Sequence, residues 1–194
     1  MSRLKRQIGE YYHIYNRGVD KRSIFMDEND YKRFFRMVRE FSKVEPPIGG
    51  STLEFVCYCL NPNHFHFLLK QTQDRGIEKF MQRLGTGYTM YFNQKYNRSG
   101  SLFEGRYKIR WAEDNSGFLW LSAYINSNPE IHQITKANDY QWSSYSHYLD
   151  KKKDGICKKE DVLSQFKNVN EYQDFVQIVV QEARFRKKEI RGFE

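Results

Sequence analysis

The chain of 194 residues has only three cysteines and four prolines. Three thiols cannot form the paired framework that staples small secreted domains, so stability must come from apolar burial, and a reducing cytoplasm is the expected setting. No apolar run approaches the roughly 18 residues that cross a bilayer. The first ten residues, MSRLKRQIGE, contain no signal-like apolar segment. The expectation is a soluble protein with no membrane partner. Internal repeats and low-complexity tracts are absent as well, which leaves one ordinary globular unit as the default.

Acidic residues are the minority charge, 24 against 32 lysines and arginines, which gives +8 at pH 7 and a pI near 9.3. Such a balance favours polyanionic partners through long-range steering and counterion release, so nucleic acid is the leading expectation. The excess is concentrated between Arg83 and Arg110. Six basic residues stand there (Arg83, Lys95, Arg98, Arg106, Lys108 and Arg110) against the single acid Glu104. Tyr88, Tyr91, Phe92, Tyr96, Phe103 and Tyr107 are interleaved with them. That mixture can grip phosphates and stack bases, or it can be an ordinary solvated face over a core.

A content of 39% hydrophobic residues supports one well-packed core. YYHIYNRG (11 to 18) reads as a first strand. Asp27 reads as the cap of a helix whose stripe is Tyr31, Phe34, Phe35, Val38 and Phe41. LEFVCYCL (53 to 60) and HFHFLLKQ (64 to 71) read as strands joined at Asn61-Pro62-Asn63. A second helix is expected from about Ile77 to Tyr96, weakened at Gly85 and Gly87, followed by a strand in GRYKIRWA (105 to 112). A third helix, capped by Asn115 or Ser116, should end near Pro129. The last helix carries Tyr172, Phe175, Val176, Val179, Val180 and Ala183 and runs into the basic tail ARFRKKEIR. Linkers are expected at 45 to 51 and 151 to 159. The order β-α-β-β-α-β-α implies an α+β fold of the ferredoxin-like, split βαβ kind, with helices packed on an antiparallel sheet. Residues 1–150 would form the main domain and 151–194 a helical extension packed on it.

Chemistry-bearing residues stand out in two places. Alternate strand residues share a face, so His64 and His66 point one way while Phe65, Phe67 and Leu69 point the other. Two imidazoles so placed can ligate a divalent metal or serve as ordinary hydrogen-bonded histidines. In FLWLSAYINSNP, Tyr124 and Asn128 are four residues apart and would meet the same visitor, although a helical tyrosine is usually packing.

Taken together, these motifs resemble the HUH-type single-tyrosine transposases, in particular the branch of REP-associated tyrosine transposases. The similarity rests on His64-Phe65-His66 after Asn61-Pro62-Asn63 and on Tyr-Ile-x-x-Asn-Pro at 124 to 129. It also includes YNRGVDKRSIF (15 to 25), MQRLGTGYTMYFNQKY (81 to 96), GSLFEGRYK (100 to 108) and WSSY (142 to 145). The resemblance implies metal-dependent cleavage and rejoining of single-stranded DNA near hairpins. His64, His66 and Asn128 would hold Mg²⁺ or Mn²⁺, and Tyr124 would form a 5′-phosphotyrosine link. It admits single chains and homodimers, and a nucleoid-associated location. The chain departs from the family pattern at Ser127 and over Pro129-Glu130-Ile131-His132, so DNA contacts beyond that helix are not carried over. Charge alone nominates Arg83, Arg98, Arg106, Lys108 and Arg110 as phosphate contacts. In WSSY, Trp142 is expected to be buried and the serines to cap or turn.

Three other readings compete. The same fold could bind DNA hairpins without cutting. Cys57, Cys59, His64 and His66 could form a structural zinc site across the hairpin. The sheet could stack RNA bases.

Overall fold

Runs rich in aromatic and β-branched residues in four segments, nearly continuously buried in two of them, and 3.6-residue periodicity between them produce the observed elements. These are β1 (Tyr11–Arg17), α1 (Glu28–Phe41), β2 (Leu53–Asn61), β3 (His64–Gln71), α2 (Gly76–Lys95), β4 (Lys108–Trp111), α3 (Asn115–Asn126), α4 (Asn128–Ile131), α5 (Tyr145–Tyr148), α6 (Glu160–Leu163) and α7 (Val169–Arg191). The computed structural model describes residues 7–43, 52–152 and 155–191, with side chains to Arg186. The linker expected over 45–51 lies wholly outside the described residues. Among them, no helix is long and apolar enough to cross a membrane.

The strands pair antiparallel in the order β2-β3-β1-β4. Each of the two βαβ units, β1-α1-β2 and β3-α2-β4, is therefore split by a strand of the other, as the ferredoxin-like expectation requires. One face of the sheet presents Ile14, Phe55, Phe65, Phe67 and Leu69 to α1 and α2, which contribute Phe34, Val38, Ile77, Phe80, Leu84 and Tyr88. The other presents Cys57, Cys59 and Leu68 to α3 and α7, which contribute Phe118, Ala123, Ile125, Tyr172, Val176 and Val180. Truncating a buried aromatic such as Phe67 to Ala costs about 3–5 kcal/mol in cores of this kind.

Local chemistry fixes the ends. Asp27 caps α1 in a reciprocal box with Asp30. Gly87 lets α2 approach α1 closely, because a Cβ there would lie 3.0 Å from Met37 Cε. Pro62 and Asn63 alone join β2 to β3. The Pro62 carbonyl accepts from the Ile24 and Phe25 amides, which pins the hairpin tip to the segment after β1. Gly18 is needed in that segment, since a Cβ would stand 2.3 Å from the Arg22 carbonyl oxygen.

Three local expectations are corrected. The cap of α3 is Asp114, whose carboxylate accepts from the Gly117 amide at 2.6 Å, rather than Asn115 or Ser116. Pro129 does not stop α3. The helix breaks at Ser127 (φ −99°, ψ 6°), and Pro129 lies in the first turn of α4, where its missing N–H is harmless. Trp142 is half-buried and stacked on Tyr31, with ring centroids 4.6 Å apart. Its segment lies along the edge of β2, with the Leu60 amide donating to the Trp142 carbonyl and the Ser144 amide to the Tyr58 carbonyl.

Candidate active site

The register of the sheet decides what surrounds the two histidines. His64 lies between Asn61 on β2 and Arg17 on β1; His66 lies between Cys59 and Tyr15. Directly paired strand residues share a face, so Tyr15, Lys108, His13 and Arg110 join the histidines on the α3 side of the sheet. A cleft of about 530 Å³ opens there, lined among others by Tyr15, Arg17, His64, His66, Lys108 and Tyr124.

Hydrogen bonds orient both imidazoles. His64 Nδ1 is 2.6 Å from Asn63 Oδ1, which can only accept, so Nδ1 carries the proton and Nε2 keeps a lone pair. That Nε2 accepts from Asn61 Nδ2 at 2.8 Å and lies 3.3 Å from Asn128 Oδ1, another acceptor. His66 Nδ1 is 2.8 Å from His13 Nε2, which leaves Nε2 for the cleft its ring lines. His13, Tyr15 and His66 form a stack with centroids 4.9–5.7 Å apart. Burial first, and then the Arg110 charge, depress His13 to about 3; burial and the neighbouring histidines hold His66 well below its ordinary value. Both rings are neutral at physiological pH, the form in which imidazole binds metals.

Tyr124 enters from α3. Its ring meets His66 edge-on at 5.9 Å and stacks on Trp120 at 5.0 Å with 13° between planes. Trp120 in turn donates to Glu182 of α7 at 3.3 Å and lies under Arg186. Burial raises the Tyr124 phenol above 10.0; the Asn128 side chain and the Arg110 charge oppose that rise. Although α3 breaks before it, Asn128 still turns into the site, fully buried, with Nδ2 lacking a hydrogen-bond partner.

The donor set fits a divalent cation. Around an octahedral ion with bonds of ~2.1 Å, adjacent ligand atoms sit roughly 3.0 Å apart, close to the separation of His64 Nε2 and Asn128 Oδ1. Among the described residues no three His, Cys, Asp or Glu side chains could hold one ion, and the Asn128 amide oxygen is the further donor that stands beside His64. The same observation removes the zinc reading. Cys57 and Cys59 are buried, both thiols are pushed well up by burial, and they contact the Ser122 carbonyl and Asn61 Oδ1.

The basic candidates divide. Lys108 lines the cleft, and Arg110 lies close enough to act on His13 and Tyr124. Arg106 packs its guanidinium on Tyr107, and Arg98 is bound to Asn93 and the Ser101 carbonyl in the loop after α2. Arg83 lies over Phe41 on the opposite, α1–α2 side. Much of the aromatic set of 83–110 serves the core: Tyr88, Phe92 and Phe103 are buried, so they offer no stacking face. Sequence reasoning missed His13, Asn61 as a site residue, and Tyr15. Only the cross-strand register could have found them.

The family model described as "Transposase IS200 like" matches residues 7–128, more than half of the chain. No curated protein matches. A solved structure of a REP-associated tyrosine transposase bound to a REP hairpin superposes with a TM-score of 0.61 at 14% identity, covering 82% of this chain and 90% of that one. A structure assigned as a transposase from Deinococcus radiodurans R1 gives a TM-score of 0.41 at 16% identity, covering 69% and 95%.

Proposed function

Because the chain belongs to the IS200-like transposase family, we propose that it cleaves and rejoins single-stranded DNA beside hairpins, with Tyr124 as nucleophile. The observation that carries this reading is convergence: a phenol from α3 and two oriented imidazoles from β3 line one basic cleft, and the buried Asn128 amide oxygen lies 3.3 Å from His64 Nε2 behind them. The solved relative with this fold is bound to a REP hairpin, which supports a hairpin as the ligand here.

His64, His66 and Asn128 would hold Mg²⁺ or Mn²⁺, which supplies Lewis-acid withdrawal of charge from a scissile phosphate. Lys108 and Arg110 bring the DNA backbone to the cleft by charge, whereas Arg17 is paired with Glu104 at 2.7 Å. Tyr124 Oη loses its proton and bonds to phosphorus. The bond from phosphorus to the 3′-oxygen breaks, and that oxygen takes up a proton. The products are a 5′-phosphotyrosine and a free 3′-hydroxyl, which can reverse the step and rejoin strands. Trp120, held by Glu182 and Arg186, fixes the plane of the attacking ring.

The test is incubation of labelled hairpin DNA with Mn²⁺ or Mg²⁺, followed by denaturing gels. The wild type should form a covalent adduct and Tyr124→Phe should form none, while both bind the hairpin equally. Tight binding without an adduct in the wild type would replace this reading with a hairpin-binding protein that does not cut.

A further inference from the structure

The side chain of Asn61 stands where a further ligand of the cation would stand, within one ligand spacing of both His64 Nε2 and Asn128 Oδ1. Asn61 is the last residue of β2, the cross-strand partner of His64, and its side chain is completely buried. Its Nδ2 lies 2.8 Å from His64 Nε2 and 2.5 Å from Asn128 Oδ1, donating one proton to each. Those two acceptors are the atoms that would ligate a metal, and with the amide nitrogen they form a triangle with sides of 2.5, 2.8 and 3.3 Å, near the roughly 3.0 Å edge of an octahedral ligand set.

An NH₂ group carries positive hydrogens and no lone pair suited to a cation, so it cannot stay beside an ion bound to the same two atoms. Withdrawal is closed, because the side chain is buried on a strand between His64 and Cys59. The smallest available movement is a turn of about 180° about the Cβ–Cγ bond, which exchanges oxygen and nitrogen in nearly the same space. The contact on the far side survives it. Cys59 Sγ now donates to Asn61 Oδ1 at 3.5 Å, and a thiol can weakly accept from Nδ2 instead.

Resting on the metal site proposed above, we infer that Asn61 is a fourth protein donor: its carboxamide holds the empty site together through nitrogen and turns to ligate through Oδ1 when a divalent cation enters. The site then offers two imidazole nitrogens and two amide oxygens, a set suited to Mn²⁺ or Mg²⁺ with positions left for phosphate oxygens.

Calorimetric titration of the full chain with Mn²⁺, checked by electron paramagnetic resonance of the free ion, tests this without any DNA. Asn61→Ala should weaken binding about tenfold or more, the scale on which supporting residues of metal sites act. Asn61→Asp should bind more tightly than wild type, since a carboxylate places a charged oxygen in the same shape. Unchanged or tighter binding by Asn61→Ala would overturn the inference and make the amide a bystander or a plug. Should Asn61→Ala fail to fold by circular dichroism, Asn61→Asp decides alone: tighter binding supports the inference, and equal or weaker binding overturns it. A wild type that binds no Mn²⁺, or binds it as well after His64→Ala, would remove the metal site itself and this inference with it.

Discussion

Two buried polar networks, one on each face of the sheet, are satisfied to different degrees. On the α1–α2 side, Asp30 is fully buried, and its carboxylate accepts from the Met26 amide (2.8 Å), Lys95 (2.7 Å), Tyr96 (2.7 Å) and Tyr91 (3.0 Å). Lys95 also reaches Asp27, so charge and hydrogen-bonding capacity are both matched. On the α3 side, Asn61, Asn128, His66 and His13 are equally buried, yet two acceptors face each other across a single amide and Asn128 Nδ2 has no partner. A complete network rigidifies the fold, whereas an incomplete one in a cleft marks where a ligand belongs.

Breaking the complete network should have the largest effect on stability. Asp30→Asn takes the buried carboxylate away from four donors and leaves Lys95 only the exposed Asp27, and losing a charged acceptor shared by several partly buried donors costs about 3 kcal/mol. For a chain of this size that lowers the melting temperature by roughly 6–12 °C, readable by circular dichroism, with Mn²⁺ affinity unchanged. The pH dependence follows from the native carboxyl. Burial alone would raise it, but hydrogen bonds from Lys95, the Met26 amide, Tyr96 and Tyr91 hold it below 3.8. A group depressed in the folded state stabilises above its unfolded value near 3.9 and loses that contribution as pH falls through its folded value. The wild type should therefore converge on the variant only in strong acid. A destabilisation under about 1 kcal/mol at neutral pH would rank the network with surface pairs and erase the contrast.

Disturbing the incomplete network should do the reverse. Asn128→Ala removes a buried orphan but also leaves one Asn61 N–H without its acceptor, so stability should fall by about 1–2 kcal/mol, less than for Asp30→Asn. Mn²⁺ affinity should fall about ten- to a hundredfold, close to 1.4–2.7 kcal/mol. Melting curves and metal titration on one preparation separate the two quantities. A large drop in melting temperature with unaltered metal affinity would make Asn128 a structural residue like Asp30.

How much of this was readable in the sequence follows from which signals are local. Alternation along one strand placed Phe65 and Phe67 opposite His64 and His66, and the helical stripe of α1 with its Asp27 cap needed only neighbouring residues. His13 carries no such signal. It reads as one more residue of an aromatic strand until β1 is laid beside β3 in the register that brings its ring within 2.8 Å of His66. Asn61 read as a turn residue, because the turn is shorter than the Asn-Pro-Asn string suggests. The aromatics of 83–110 stay undecided by composition for a related reason: α2 turns Tyr88 and Phe92 inward, and composition cannot say which side of a helix is wet.

The smallest effect separates the basic residues of the two faces. Lys108 stands on β4 opposite Tyr15 and lines the cleft, whereas Arg83 is spread over Phe41 between α1 and α2. Charge placed both among the phosphate-binding candidates, but position does not treat them alike. Every phosphate that a cation neutralises on a single strand adds about 0.7 to the steepness of log K against log salt. Lys108→Ala should flatten the measured slope for hairpin DNA with a single-stranded flank by roughly that amount, and Arg83→Ala should leave it unchanged, both read by fluorescence anisotropy across a salt series. Equal flattening by the two variants would mean that the DNA wraps onto the α1–α2 side, and the two faces of the sheet would no longer divide into a structural and a working half.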